Sequence, residues 1–126
     1  MKLLTIDDSR TIRRVIAGIG SMLGFEVLEA ENGSVGLRVL AERGDEIGLV
    51  LLDWNMPGMN GLEVLKAIKG DPRWMHIPVM MVTTEGEKDY IVQAIQAGAS
   101  HYLTKPFSQE DMASRIMEAL GMGGMA

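Results

Sequence analysis

The stretch Leu49-Val50-Leu51-Leu52-Asp53-Trp54-Asn55-Met56-Pro57-Gly58 decides how this chain folds. Four consecutive apolar residues without polar alternation suit a strand covered on both faces. The run stops at a carboxylate, and Pro57-Gly58 then forces a turn. In an open parallel sheet, ligands gather beyond the carboxyl ends of the strands, so Asp53 stands where such a fold does its chemistry. On this window alone Asp53 reads equally well as a loop cap, and the flanking sequence has to decide.

Apolar runs recur on either side. Lys2–Ile6 reads as a short buried strand ending in Asp7-Asp8, Phe25–Ala30 as a second, Val79–Thr83 as a fourth and Ser100–Leu103 as a fifth. Between them the spacing turns helical. The first helix runs from Ser9 or Arg10 to Leu23, with Ile12, Val15, Ile16, Ile19 and Leu23 as its apolar stripe and Gly24 as its stop. Arg10, Arg13 and Arg14 then form its solvated side. A second helix covers Ser34–Arg43 after an Asn32-Gly33 turn, with Leu37, Leu40 and Ala41 inward. A third, capped by Asn60, covers Gly61–Lys69, and a fourth covers Lys88–Gln96. After the loop Thr104-Lys105-Pro106-Phe107, Ser108 and Asp111 form a variant capping box for a last helix, with Met112, Ile116 and Leu120 inward. The tail Gly121–Ala126 is expected to fray. Five strands alternating with five helices give an α/β chain with a parallel, doubly covered sheet, although alternation alone leaves the strand order open.

The 126 residues suffice for one domain, 1–126, and are too few for two. There is no cysteine, which excludes thiolate chemistry and disulfides, and two histidines make a histidine-rich metal site a poor fit. A net charge of -5 argues against nucleic acid as the main partner. Only four residues separate Lys2 from Asp7-Asp8, which is no secretory signal, and no apolar run approaches membrane-spanning length. A cytoplasmic protein with no nucleic-acid or membrane partner is expected.

Polar candidates fall at the ends of four strands: Asp7 and Asp8, Asp53, Thr83 and Lys105. Each alone has an ordinary structural role, as a helix cap, a β-branched strand residue or a solvated lysine. All of them landing at strand ends by accident is a much weaker reading. Converging carboxylates repel one another, and an oxygen-rich site of this kind suits Mg²⁺, a hard cation that offsets the repulsion. A lysine and a hydroxyl nearby suit the remaining oxygens of a phosphoryl group. The chemistry indicated is attack by the Asp53 carboxylate on phosphorus, giving an acyl phosphate that water later removes. Neither a phosphate-binding loop with lysine and serine or threonine nor a GxGxxG fingerprint is present, so tight nucleotide binding is not expected.

In their order and spacing, Asp7-Asp8, Leu52-Asp53-Trp54-Asn55-Met56-Pro57-Gly58 with Asn60-Gly61, Val82-Thr83 and Lys105-Pro106-Phe107 resemble the receiver domain of two-component response regulators. The likeness spans nearly the whole chain and is greatest to the family's stand-alone chemotaxis members. It implies a flavodoxin-like (βα)5 fold of strand order 2-1-3-4-5 and a cis peptide at Lys105-Pro106. It makes Asp53 the phosphoacceptor, Asp8, Asp53 and the Asn55 carbonyl direct Mg²⁺ ligands, and Asp7 a ligand through water. Thr83 and Lys105 take phosphoryl oxygens. Thr83 and Tyr102 form the switch, changing the partner affinity of the face made by the fourth helix, fifth strand and fifth helix. Asn55 and Glu85 tune the phosphate lifetime, and Trp54 reports metal and phosphate by fluorescence. Thr84 departs from a position that is usually small, and Ser9 from one more often acidic or bulky.

The function implied is a phosphorylation-activated module that takes phosphate from a histidine kinase and signals by protein contact, with chemotaxis and flagellar-motor control as its leading setting. The expected partners are that kinase and a flagellar motor switch component, with a phosphatase as a further candidate, and the chain is expected to be a monomer without an attached output domain. A phosphorelay member or phosphate sink is the alternative within the family. A Mg²⁺-dependent aspartyl phosphohydrolase is the enzymatic rival, but it wants an acid two residues after its nucleophile, where this chain has Asn55. A structural adaptor would keep its activity without Asp53.

Overall fold

The computed structural model describes residues 1–121. Its elements are β1 (Lys2–Ile6), α1 (Arg10–Met22), β2 (Glu26–Ala30), α2 (Gly33–Arg43), β3 (Ile47–Leu52), α3 (Gly61–Lys69), β4 (Val79–Thr83), α4 (Lys88–Gln96), β5 (His101–Thr104) and α5 (Gln109–Ala119), with a 3-10 turn at Gly44–Glu46. All five strands are parallel, in the expected order β2-β1-β3-β4-β5.

The central place of β3 follows from its apolar run. Successive side chains leave a strand on opposite faces, so an uninterrupted run needs cover on both. Leu49 and Leu51 join Leu3, Met80 and Val82 against Ile16, Ile19, Met112 and Ile116 of α1 and α5. Val50 and Leu52 join Leu4, Ile6 and Met81 against Leu40, Val64, Leu65 and Ile68 of α2 and α3. Fully burying one such side chain contributes about 1.5–3 kcal/mol, and β3 supplies both cores at once.

Several element edges shift by one or two residues. β3 starts at Ile47 rather than Leu49, β2 at Glu26 rather than Phe25, and β5 runs His101–Thr104 rather than Ser100–Leu103. Asn32 is a helix cap rather than part of a free turn, its side chain accepting from Val35 N–H at 2.9 Å. Asn60 and Glu63 form a full capping box at α3. At Ser108 the hydroxyl accepts from Asp111 N–H at 3.0 Å. Of the tail expected to fray, residues 122–126 lie outside the described residues.

Three side-chain expectations are corrected, all for one reason. At about 100° per residue, Val15 points roughly 100° away from the buried Ile16, whereas Arg13 points only about 60° away. Val15 is accordingly exposed, and Arg13 is half-buried instead of solvated. Ala41 has the same offset from the buried Leu40 as Val15 has from Ile16, and it too faces outward. Of the two α1 glycines, Gly20 lets the helix close on Val27 of β2, while Gly18 has open space around it.

Register carries the strand ends to one edge. Ile6 pairs with Ala30 on one side and Leu52 on the other, and Thr83 pairs with Thr104. The turn after β3 is then folded back tightly. Gly58 takes φ +75°, and Gly61 lies so close that a Cβ would collide with the Asp53 carbonyl oxygen and stand 2.7 Å from Trp54 Cα. Gly61 N–H donates to the Trp54 carbonyl at 2.8 Å. Gly61→Ala is therefore expected to destabilise the fold by about 1–3 kcal/mol in urea unfolding. Gly18→Ala, in open space on a helix, is expected to stabilise it by up to about 1 kcal/mol. Equal unfolding midpoints for the two variants would contradict the close approach at Gly61.

Candidate functional site

Main-chain pairing continues one residue past β1, β3 and β5 and so fixes the residues that follow. Asp7 N–H donates to the Ala30 carbonyl at 3.0 Å, Asp53 N–H to the Ile6 carbonyl at 3.0 Å, and Lys105 N–H to the Thr83 carbonyl at 2.8 Å. Asp7 and Asp53 are thereby held side by side beyond β1 and β3, and Lys105 reaches back from beyond β5 across the open edge. The Lys105 ammonium lies 2.7 Å from Asp7 Oδ2 and 3.3 Å from Asp53 Oδ2. The Lys105-Pro106 peptide is cis, as the resemblance implies.

Asp7, Asp8 and Asp53 each offer a carboxylate oxygen within 4.8 Å of the others. Asp7 is 2% exposed and Asp53 6%, while Asp8 faces solvent. Three carboxylates against one ammonium leave two negative charges uncompensated. The donor set is all oxygen, as hard divalent cations prefer, and the cluster is fit to coordinate one. A cleft of about 380 Å³ opens beside it, lined by Asp8, Trp54, Asn55, Met56, Pro57 and Asn60.

The remaining candidates form a second group around Glu85. The Asn55 amide donates to Glu85 Oε1 at 2.7 Å, tying the turn after β3 to the loop after β4. The Thr83 hydroxyl, fully buried, accepts from Glu85 N–H at 3.3 Å, and none of its hydrogen bonds among the described residues runs to the acid cluster. The Tyr102 hydroxyl donates to the Glu85 carbonyl. Burial first, and then the Glu85 and Asp53 carboxylates, push the Tyr102 phenol up to about 12. Thr84 is exposed beside this group, and Tyr102 is half-buried.

Two participants escaped the sequence reading. Tyr90 of α4 meets Trp54 edge to face, with centroids 4.9 Å apart and planes at 86°, which joins the residue after Asp53 to α4. Arg13 donates to the Asp7 carbonyl at 2.6 Å and to Glu29 Oε1 at 3.3 Å. The signal for Arg13 was its place on the row Arg13, Ile16, Gly20, at spacings of three and four residues.

Comparison with known proteins agrees with this geometry. A family model described as the response regulator receiver domain matches residues 3–117. The chain is 43% identical over 122 residues to chemotaxis protein CheY1 of Helicobacter pylori, covering 96% of this chain and 98% of that protein. It is 40% identical over 124 residues to a chemotaxis protein CheY homolog of Campylobacter jejuni, covering 98% and 95%. Among solved structures, Vibrio cholerae chemotaxis protein CheY4 superposes with a TM-score of 0.88 at 29% identity, over 94% of this chain and 98% of that one. A response regulator receiver domain protein from Clostridium thermocellum gives 0.86 at 34% identity, over 95% and 94%.

The raised phenol pKa has a definite sign. The folded state favours neutral Tyr102, so this stabilisation is complete below pH 10 and is lost as pH rises through about 12. Near-ultraviolet difference titration is expected to show one of the two tyrosines ionising near about 12, and Tyr102→Phe is expected to delete that step. The same variant, losing one hydrogen bond, is expected to be less stable at neutral pH by about 0.5–1.5 kcal/mol.

Proposed function

The chain belongs to the response regulator receiver family, and on that premise we propose that it is a phosphorylation-activated signalling module whose phosphoacceptor is Asp53. The observation that carries this reading is the Lys105 ammonium set between the Asp7 and Asp53 carboxylates. A lysine so placed can pass from carboxylate to phosphoryl oxygen as charge builds up there.

In the proposed reaction an Asp53 oxygen attacks phosphorus of a kinase phosphohistidine or of acetyl phosphate. The phosphorus–nitrogen or phosphorus–oxygen bond breaks, its electron pair leaves with the imidazole or acetate, and an acyl phosphate remains on Asp53. Lys105 holds one phosphoryl oxygen, and the Thr83 hydroxyl, released from Glu85 N–H, holds another. Asp8, Asp53 and the Asn55 carbonyl would hold Mg²⁺, with Asp7 engaging it through water, and the cation would neutralise the carboxylates and polarise the phosphoryl oxygens. The Asn55–Glu85 pair, which ties the turn after Asp53 to the loop after Thr83, tunes how soon water removes the phosphate. Asn55 offers no carboxyl group for general acid–base work, which disfavours a turnover phosphohydrolase.

Signalling follows from a two-state equilibrium biased by contacts made only with phosphate bound. Movement of Thr83 disturbs Glu85, whose carbonyl holds Tyr102, and α4 feels the change as well through Tyr90 and Trp54. On α4, Val92 and Ile95 lie three residues apart and are 40% and 48% exposed, an apolar strip suited to a protein partner. The partners in this reading are a histidine kinase and, given relatives named as chemotaxis proteins, a component of the flagellar motor switch.

Asp53→Asn is expected to abolish phosphate incorporation from acetyl phosphate with Mg²⁺, read as a mass increment on the intact chain; full incorporation would remove Asp53 as acceptor. Lys105→Ala is expected to accept phosphate but not to gain affinity for the target. It is expected to bind Mg²⁺ as tightly as the parent or more tightly, because the ammonium competes with the cation for the same carboxylates. Weakened Mg²⁺ binding in that variant would contradict the role given to Lys105.

A further inference from the structure

Every polar group of Asp7 is held, each by a different part of the chain. Its N–H donates to Ala30 of β2 at 3.0 Å, Oδ1 accepts from Ser9 N–H at 2.9 Å, and Oδ2 accepts from Lys105 at 2.7 Å. Its carbonyl accepts from Arg13 Nη1 of α1 at 2.6 Å. That carbonyl belongs to the peptide joining Asp7 to Asp8. A peptide is planar, so fixing its oxygen also fixes its N–H and the direction in which the next Cα leaves it. Asp8 itself is exposed, and the peptides on both sides of it are pinned, the preceding one by Arg13 and the following one through Ser9 N–H. The Arg13 side chain is only 13% exposed, and Glu29 of β2 grips its Nε at 3.3 Å. Arg14 also reaches Glu29, at 3.6 Å.

We propose that Arg13 is a positioning residue for the acid pair: by holding the Asp7–Asp8 peptide it aims Asp8 at the cation, and Glu29 keeps the guanidinium at that reach. This rests on the reading in which the acid pair holds Mg²⁺. Charge alone makes the opposite prediction. Removing a guanidinium near a cation site strengthens cation binding by Coulomb's law, whereas losing the aim of a ligand weakens it. The sign of the change therefore separates the two effects.

The test is a Mg²⁺ titration of Trp54 fluorescence in a Trp74→Phe background, which removes the second tryptophan signal. In that background Arg13→Gln is expected to raise the Mg²⁺ dissociation constant by roughly tenfold or more, the scale seen when a residue supporting a metal ligand is lost. Arg13→Lys is expected to recover only part of this, because an ammonium lacks the planar fork that spans Glu29 and the Asp7 carbonyl. Glu29→Gln, which loosens the guanidinium without removing it, is expected to move affinity in the same direction by less, and it carries the test if Arg13→Gln does not fold. Melting without Mg²⁺, run in parallel, separates loss of affinity from loss of fold. Equal or tighter binding by folded Arg13→Gln, in a background that itself binds Mg²⁺, overturns this inference alone. A background that does not bind Mg²⁺ overturns the cation reading as well.

Discussion

A lysine ammonium between two buried carboxylates is the interaction on which the carboxyl edge of this sheet depends. Removing such charges from water costs several kcal/mol apiece, and the cost is offset only while the partners stay in contact. Lys105 comes from beyond β5, Asp7 from beyond β1 and Asp53 from beyond β3, so the ion cluster fastens the ends of three strands. The sheet returns the support. The Asp7 and Asp53 main chains are held by pairing with Ala30 and Ile6, so the two carboxylates spring from adjacent, fixed points of the ladder. The compensation is incomplete, and the charge left over makes the cluster fit to coordinate a cation.

The two hydrophobic cores explain how this edge can be polar without loosening the fold. Each face of β3 is closed by its own helices, and the polar residues appear only where the apolar run has ended. Stability and chemistry thus occupy different segments of the same strands. Gly61 marks the place where the two meet: the third helix begins directly against the Asp53 carbonyl, and packing of α3 determines the path of the turn that carries Asn55.

Much of the site was legible in the sequence because its signal is local. A run of apolar residues ending in Asp7-Asp8, Asp53 or Thr83 marks a strand end without knowledge of its neighbours. Strand order had to come from family resemblance, since alternation of elements is compatible with several orders. What escaped depends on rotation and pairing between elements. Val15, Ala41 and Arg13 sit at the margins of helical stripes, where a modest turn of the helix about its axis decides between core and solvent. Ile47 and Thr104 join strands only because neighbouring strands pair with those parts of the chain. The Asn55–Glu85 and Trp54–Tyr90 contacts join residues from different loops and helices, and no periodicity in either segment points to them.

Besides its N–H to Thr83, Glu85 is held by two chemically different contacts, its carboxylate to Asn55 and its carbonyl to Tyr102. Only the first depends on which amino acid occupies the position, because every residue carries a main-chain carbonyl. The two couplings are therefore separable by mutation. Sequence drift at position 85 is free to alter how the turn after β3 is tied down while the grip on the tyrosine persists. Position 85 thus combines a replaceable side-chain tie to the turn after β3 with a main-chain tie to Tyr102 that any residue can make.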